Sequence, residues 1–347
     1  MKSIKRFLPL VAVLAASSLL MAACGDDETT SDSGSDTTPA ETVKVGLAYD
    51  LGGRGDKSFN DAAAVGLDKA KADLGVTAEE LEPSTADDRG ANLKLLVEGE
   101  YNPVIGVGFA FGDDMLTIAT ANPKVMFGAV DTVVDAPNVR SNVFAEEQGS
   151  FLVGAAAGLK TTANKVGFIG GVENDLIKKF EAGYVAGVKQ TNPDATVEVK
   201  YISPAGDFSG FSAPDKAKEI AAAMYDSGID IIFHAAGGSG TGLFDAAVAA
   251  GDGKWAIGVD SDQHESATPE QAKHILTSML KRVDVAVFDT IKAFSENGVT
   301  GGTVVLDLKS DGVGYATSGG YVDDIVEQLD ELKAQIISGE ITVPTAP

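Results

Sequence analysis

The sequence predicts an α/β protein made of two doubly wound lobes with a central cleft. Short apolar runs of strand length alternate with longer segments of helical periodicity along most of the chain, and this alternation produces parallel strands joined by right-handed crossovers. The body, from about residue 43 to 347, is long for one hydrophobic core and natural for two. One set of units spans residues 43–142 and a second spans 167–259, which indicates one sheet for each lobe.

The first residues have the pattern of a secretory leader. Three basic residues precede an apolar run that ends in small residues before Cys24, as in a signal peptide. The stretch LLMAAC resembles a lipobox, although Met21 stands where Leu is usual. We therefore predict a signal peptide over residues 1–23 and a lipid anchor on Cys24, which would hold an extracytoplasmic protein to the cell membrane.

Composition restricts the partners. Residues 24–42 are acidic, contain no large apolar side chain and are predicted to form a disordered tether. The formal net charge of the chain is −24, which argues against nucleic acid as a partner and favours neutral or cationic ligands over anions. Because Cys24 is the only cysteine, an intramolecular disulfide is excluded.

Strands and helices are expected in the following order. The predicted strands are VKVGLAY, PVIGVGFA, KVMFGAV, KVGFIGG, TVEVKYI, DIIFHAA and KWAIGV. The predicted helices between them are Ser58–Leu74, Asp88–Glu100, Asp113–Ala121, Glu147–Lys160, Asn174–Gln190, Pro214–Ser227 and Gly242–Ala250. Several of these strands end in Asp or in a glycine pair, and open parallel sheets bind ligands at the carboxyl ends of their strands.

Beyond Asp260 the pattern changes. HILTSML predicts a strand, RVDVAVFDTIKAFSENG a helix that ends at Gly298, and GTVVLDLKSDGVGYAT a hairpin-like pair of strands. A last helix is predicted over Tyr321–Ser338, because it carries one apolar stripe, opens with acids and stops at Gly339.

The stretch YDLGGRGDKSFNDAAAVGL, residues 49–67, is a Gly-rich turn between a strand and a helix. It lacks the spacing of a phosphate loop and of a dinucleotide-binding turn. Its Arg-Gly-Asp tripeptide matches an adhesion motif, but matches of three residues arise often by chance. Ser58 has the position of a helix N-cap. Phe59, at the start of the helix, either belongs to the core or points into the cleft.

The same stretch resembles the signature of the basic membrane protein family, whose best-understood members are lipoproteins that bind purine nucleosides for ABC transporters. The likeness continues through VGFAFGD, FGAVD, SNVFAEEQGSFLVGAAAG, KVGFIGG, FEAGYVAGV, IIFHAAGGSGTG, GVDSDQ and TSMLKRVDVAV. It covers essentially the whole body in the same order. Arg54 in the turn departs from the family pattern.

The resemblance implies two Rossmann-like lobes in the type I periplasmic-binding-protein fold, with three crossing strands. We expect one lobe to comprise residues 43–145 and 263–298, and the other residues 146–262 and 299–347. The expected partners are a nucleoside, an ABC transporter permease and the membrane that holds the lipid anchor. We expect the protein to be a monomer.

The resemblance also implies roles for individual residues. Phe59 would stack on the base, with Phe233 as the expected partner on the other face and Phe208 as a rival for that place. Asp50 and Asp131, each at a strand end, would accept hydrogen bonds from base N–H groups.

Further contacts would come from both lobes. Asp260 would accept from ribose hydroxyls, and Lys281 would lie near the ribose or balance the carboxylates. Asn60 and the amides of Gly237 and Gly238 would add donors. The expected binding set is completed by Ser58.

The sequence supports a metal site or a catalytic site less well than a nucleoside-binding site. The run Asp260-Ser261-Asp262-Gln263-His264 has alternating ligand types, but the rest of a calcium loop is missing. The sequence has three histidines and no nucleophile elbow. We predict no metal, no cofactor and no catalytic residue.

The leading function is that of a lipid-anchored solute receptor that captures a nucleoside and presents it to a permease, and the resemblance implies a purine nucleoside. A receptor for another small polar solute, such as a sugar, and an extracellular nucleoside hydrolase remain alternatives. A surface adhesin rests only on the Arg-Gly-Asp tripeptide.

Overall fold

The computed structural model describes residues 42–347. The predicted signal peptide over 1–23, the lipidation site Cys24 and all of the predicted tether except Thr42 lie outside the described residues. Within residues 42–347, no helix is long and apolar enough to cross a membrane.

Twelve strands make up the sheets of the described part. They are β1 (Lys44–Ala48), β2 (Thr77–Leu81), β3 (Val104–Val107), β4 (Phe127–Val130), β5 (Val139–Phe144), β6 (Lys165–Val172), β7 (Thr196–Ser203), β8 (Ile231–Ala235), β9 (Trp255–Asp260), β10 (Ile275–Lys281), β11 (Gly302–Leu306) and β12 (Val313–Tyr315).

Eleven α-helices connect and flank these strands within residues 42–347. They are α1 (Phe59–Leu74), α2 (Asp88–Glu98), α3 (Gly112–Ala121), α4 (Glu146–Lys160), α5 (Asp175–Thr191), α6 (Pro214–Asp226), α7 (Gly240–Ala250), α8 (Gln263–Ser266), α9 (Pro269–Ala272), α10 (Val283–Asn297) and α11 (Val326–Ser338).

The strands form two six-stranded sheets, one in each lobe. The first has the order β11-β5-β4-β3-β1-β2 and the second β12-β10-β9-β8-β6-β7. Neighbours run parallel except β10 and β12. The two doubly wound lobes predicted from the sequence are confirmed. The central strands β3, β4 and β8 are buried along their whole length, as strands covered on both faces should be.

Helices pack closely where glycine removes the side chain. A Cβ at Gly154 of α4 would lie 2.2 Å from the carbonyl oxygen of Tyr184 in α5, and one at Gly187 would lie 2.0 Å from that of Phe151. A Cβ at Gly66 of α1 would lie 2.3 Å from a carbonyl oxygen of α10. These close approaches explain the Gly- and Ala-rich composition of α4.

The chain crosses between the lobes after β5, β10 and β11. The predicted division is wrong for two strands: β10, within residues 263–298, belongs to the second sheet, and β11, within 299–347, belongs to the first. β11 and β12 therefore do not form a hairpin. β11 instead pairs in parallel with β5, and β12 pairs with β10.

The crossing segments are tied to each other. The Ala145 amide donates to the Leu306 carbonyl at 3.0 Å, and the Arg282 amide donates to the Gly312 carbonyl at 2.9 Å.

Two strands, β2 and β5, were not predicted because neither is a continuous apolar run. The charges of TAEEL in β2 are tolerated because it is an edge strand.

Candidate functional site

A cavity lies between the carboxyl ends of the strands of the two sheets. It contains about 640 Å³ of space, part of which is open to solvent. Both lobes contribute to its lining, which consists of Asp50, Leu51, Asp56, Phe59, Asn60, Gly108, Phe109, Asp131, Leu176, Ile177, Phe180, Phe211, Ala235, Gly237, Gly238, Val259, Asp260 and Lys281.

The Gly-rich turn is fixed by Asp56. Its carboxylate accepts hydrogen bonds from the backbone amides of Ser58 and Asn60, each at 2.9 Å, and of Asp61 at 3.1 Å. Ser58 holds the N-cap position of α1 as predicted, but its side chain makes no capping hydrogen bond, and Asp56 supplies the capping side chain instead. Because a carboxylate already occupies these amides, the start of α1 does not offer the anion site that a phosphate loop provides.

Asp50 follows β1 and is held by Arg89 of α2. Arg89 Nε donates to Asp50 Oδ1 at 2.7 Å, its Nη2 donates to the same oxygen, and the Leu51 amide donates to it at 2.6 Å. Burial raises the pKa of Asp50, although the Arg89 charge opposes this. Oδ2 receives no hydrogen bond from the described residues, and it approaches Gly108 so closely that a Cβ there would lie 2.6 Å away.

Asp131 and Lys281 form a buried ion pair between the lobes. Lys281 Nζ donates to Asp131 Oδ2 at 2.7 Å and lies 3.2 Å from Glu146 Oε1, while Lys179 Nζ lies 3.2 Å from Glu146 Oε2. Burial raises the pKa of Asp131 to about 6 even though Lys281 opposes the shift. Burial acts to lower the pKa of Lys281, but the surrounding carboxylates raise it above its usual value.

Asp260, at the end of β9, also contacts the opposite lobe. Its Oδ2 accepts a hydrogen bond from the hydroxyl of Ser58 at 2.6 Å. Burial raises the pKa of Asp260 to about 6, which Lys281 and Ser58 partly counteract. Asp131 and Asp260 both have positive φ, 68° and 65°, a strained conformation that is common at functional sites.

Three aromatic rings surround the Lys281 ammonium group. Its Nζ lies 5.3 Å from the ring centroid of Phe59, 4.9 Å from that of Phe144 and 5.5 Å from that of Phe180. Phe59 and Phe180 also line the cavity, whereas Phe144 does not. Phe109 and Phe211 line the cavity as well, so each lobe contributes two rings, and Phe59 and Phe180 are the two that lie beside the buried Lys281 ammonium group.

Phe180 lines the cavity but was not predicted to do so, whereas Phe233, which was expected to stack on the base, does not line it. Phe233 is fully buried in β8, where its ring packs 5.6 Å from that of Phe168 and 5.2 Å from that of Tyr184, outside the cavity lining. Phe180 lies in the second turn of α5, the helix that follows β6. The rule that pointed to Phe59, an aromatic near the start of a helix after a strand, would have pointed to Phe180 as well.

The remaining predicted residues fall in two groups. Asn60, Gly237 and Gly238 line the cavity; the Asn60 side chain accepts from the Asp50 amide at 3.2 Å and donates to Asp56 at 3.1 Å. Phe208 and Ser58 do not appear in the lining. The structure thus brings together eight of the ten predicted binding residues in one lining and places Phe233 and Ser58 outside it.

The arrangement offers hydrogen-bond acceptors and flat apolar faces. Among the described residues, no group of three or more His, Cys, Asp or Glu is arranged to hold a metal ion. His234 is fully buried in β8, its Nε2 lies 2.9 Å from Gln263 Oε1, and burial lowers its pKa to about 4. Such a neutral, enclosed histidine serves packing and polar contact.

Comparison with known proteins gives a consistent result. A family model described as "ABC transporter substrate-binding protein PnrA-like" matches residues 42–346. A protein of Listeria innocua named CD4+ T-cell-stimulating antigen is 37% identical, with 99% of each chain covered. A Lactococcus lactis protein named ABC transporter nucleoside-binding protein BmpA is 35% identical, with 98% of this chain and 99% of that one covered.

A solved structure matches as well. The crystal structure of an ABC transporter solute-binding protein from Aeropyrum pernix aligns with a TM-score of 0.76 and 28% identity, covering 87% of this chain and 93% of that one. The type I periplasmic-binding-protein fold expected from the resemblance is thereby confirmed.

Proposed function

The chain belongs to the PnrA-like family of ABC transporter substrate-binding proteins, and from that premise we propose that its cavity binds a purine nucleoside. The ligand is captured between the lobes and presented to a membrane permease. The name of the Lactococcus lactis relative, a nucleoside-binding protein, supports the ligand class.

The observation that carries the proposal is the pairing of two aromatic faces with acceptor-rich carboxylates. Phe59 and Phe180 come from opposite lobes and lie at similar distances from Lys281. A flat base held between two rings gains about 1–3 kcal/mol per stacked base. Stacking also tolerates any base, so selectivity must come from the polar groups beside the rings.

The polar groups suit a neutral ligand rich in donors. Among the described residues, Asp131 receives a hydrogen bond only from Lys281, and Asp260 only from Ser58. Each carboxylate therefore keeps acceptor capacity for a ligand. We assign Asp50 and Asp131 to base N–H groups and Asp260 to ribose hydroxyls, with Lys281 beside the ribose.

The same carboxylates disfavour nucleotides. A monophosphate would bring its charge toward Asp56, Asp131 and Asp260, and the amides at the start of α1 are already bonded to Asp56. Repulsion of like charges in a buried site opposes binding strongly. Asn60 Nδ2 already donates to Asp56 and to the Leu51 carbonyl, so the backbone amides of Gly237 and Gly238 are the donors that we assign to a polar neutral ligand.

Anchoring and transport complete the proposal. Acylation of Cys24 would tether the receptor to the outer face of the membrane, within reach of a permease. The Cys24→Ser variant should therefore fail to incorporate labelled palmitate, whereas normal labelling of that variant would contradict the anchor. We propose that the receptor acts as a monomer.

A thermal-shift screen tests the ligand class. Adenosine, guanosine and inosine should raise the melting temperature, while their 5′-monophosphates and free sugars should not. At ligand about 100-fold above its dissociation constant, the gain in unfolding free energy is about 2.7 kcal/mol. After incubation with inosine, recovery of inosine is expected; release of hypoxanthine would instead indicate a hydrolase.

A further inference from the structure

Contacts between the lobes differ at the two sides of the cleft. The chain crosses beside β11 and β12, which are edge strands of their sheets, and the opposite edges are β2 and β7. We call the side of the cleft at β11 and β12 the hinge side, and the side at β2 and β7 the mouth side. On the mouth side, Phe208 of the second lobe meets two residues of the first. We call Arg89, Phe109 and Phe208 the aromatic clasp.

The contacts of the aromatic clasp are specific. The Phe208 ring centroid lies 5.6 Å from that of Phe109, with the planes tilted by 45°, and 4.9 Å from the Arg89 guanidinium carbon. Phe109 lines the cavity and Phe208 does not. Phe208 is therefore placed to act from outside the ligand site.

The segment that carries Phe208 is firmly held in its own lobe. Phe208–Phe211 forms a short 3₁₀ helix in which the Asp207 side chain accepts from the Ser209 amide at 3.0 Å. The Ser239 hydroxyl donates to the Gly210 carbonyl at 2.8 Å. A Cβ at Gly210 would lie 1.9 Å from the Gly171 carbonyl oxygen, so the segment sits directly on β6. Phe208 consequently moves with the second lobe.

Arg89 connects this contact to the ligand site. The Arg89 side chain is only 5% exposed, and both of its donors to Asp50 reach the same oxygen, Oδ1. Its third donor, Nη1, binds the Ala86 carbonyl at 3.1 Å. Fixing Oδ1 in this way leaves Oδ2 as the oxygen available to a ligand.

We propose that Phe208 is a positioning residue that covers Arg89 when the lobes close and thereby fixes the ligand-facing oxygen of Asp50. This inference rests on the proposed function, because it assigns to Asp50 a contact with the ligand. Closure excludes water from Arg89, and a charge-assisted hydrogen bond is stronger where water is excluded. Capture of the ligand and ordering of Asp50 then occur in one step.

Ligand dissociation should report the aromatic clasp directly. The Phe208→Ala variant loses the cation–π contact with Arg89 and the aromatic contact with Phe109, so nucleoside release should be about 5- to 30-fold faster than in wild type. The Phe208→Tyr variant keeps an aromatic ring and should release nucleoside at nearly the wild-type rate. The matched control is Phe288→Ala, which removes a half-buried ring under Lys69, 4.8 Å away, within the first lobe. Its release rate should equal that of wild type.

A double-mutant cycle separates positioning from simple contact. The rates are measured by stopped flow with whichever of adenosine, guanosine and inosine binds wild type most tightly. In an Asp50→Asn background, Phe208→Ala should change the release rate much less than in wild type. An equal fold-change in both backgrounds would show that Phe208 acts without Asp50 and would overturn the proposal.

Arginine labelling of protein saturated with the same nucleoside tests whether Phe208 covers Arg89 when the lobes are closed. Phenylglyoxal labels accessible arginines, and peptide mapping reports Arg89 against the exposed Arg54 as an internal reference. Arg89 should be labelled faster in Phe208→Ala than in wild type or Phe288→Ala. Equal labelling of Arg89 in all three proteins contradicts the aromatic clasp. Failure of wild type to bind any nucleoside in the thermal-shift screen contradicts the proposed function, whereas nucleoside binding with equal labelling of Arg89 contradicts the aromatic clasp alone.

Discussion

The hinge side and the mouth side of the cleft join the same two lobes by different chemistry. On the hinge side, Lys281, Asp131 and Glu146 have side chains exposed by 2%, 4% and 1% and form a cluster of buried charges. On the mouth side, Phe109 and Phe208 are half-buried rings beside Arg89.

The difference follows from what each contact leaves behind when it breaks. Separating a buried ion pair strands an uncompensated charge, which costs several kcal/mol. Separating two half-exposed rings costs about 0.5–1.5 kcal/mol. A receptor that must open and close can therefore break the mouth side repeatedly, while the hinge side keeps its electrostatic arrangement.

Removal of the hinge-side cation should have the largest effect. Lys281→Met leaves Asp131 and Asp260 without their counter-charge and leaves Glu146 paired with Lys179 alone. The free energy of unfolding should therefore fall by about 3–5 kcal/mol, and nucleoside binding should be lost. The measurement is urea unfolding at pH 7. Lys333→Met, whose partner Asp311 is 80% exposed, is the control and should cost less than about 1 kcal/mol. Equal effects of the two substitutions would refute a special role for the hinge side.

Phe59, whose ring centroid lies 5.3 Å from Lys281 Nζ, should affect binding next most strongly. Phe59→Ala should lose about 1–3 kcal/mol of nucleoside binding, whereas Phe59→Trp should keep much of it because any aromatic face can stack. Paired melts with and without nucleoside measure this, with Phe288→Ala as control. If Phe59 serves only as core, its loss would cost about 3–5 kcal/mol of folding and the nucleoside shift would survive.

Lowering the pH from 7 to 5 should increase the contribution of two buried acids to folding stability and should decrease the affinity for nucleoside. Burial raises the pKa of Asp131 and Asp260 to about 6, against about 3.9 in an unfolded chain. Between about pH 4 and 6 the native state binds more protons, so the contribution of these groups to stability is present at low pH and is lost as pH rises through 6. From pH 7 to 5, nucleoside binding, which uses the ionised acids, should weaken by about tenfold for each acid that must be ionised.

Asp260→Asn isolates that dependence, since its side-chain oxygen can still accept from Ser58. The melting temperature of ligand-free Asp260→Asn relative to wild type should be highest at pH 7 and should decline toward pH 5. A difference that stays constant over this range would mean that Asp260 does not titrate there. Calorimetry of the two proteins with adenosine gives the accompanying change in affinity.

The sequence predicted the lobes well and the site unevenly, for identifiable reasons. Strand ends are visible as apolar runs, so Asp131 and Asp260 were placed correctly in the cavity lining. Alternation along a strand decides which face a side chain takes, and an apolar run with both faces buried gives no sign of it. Phe233 was therefore misplaced. Pairing between β11 and β5, over 150 residues apart in the register Gly302 to Arg140, leaves no local signal at all.

Arg54 gives the smallest expected effect and tests whether charge matters on the mouth side. Its guanidinium faces outward, where Nη1 donates to Glu80 at 3.0 Å and Nη2 pairs with Asp68, and its side chain is 44% exposed. Exposed ion pairs of this kind contribute less than about 1 kcal/mol. Arg54→Ala should therefore leave nucleoside affinity within about twofold of wild type, measured by calorimetry at 0.15 M salt. A tenfold loss would show that the mouth side depends on the field of exposed charges as well as on its rings, and the contrast with the hinge side would fail.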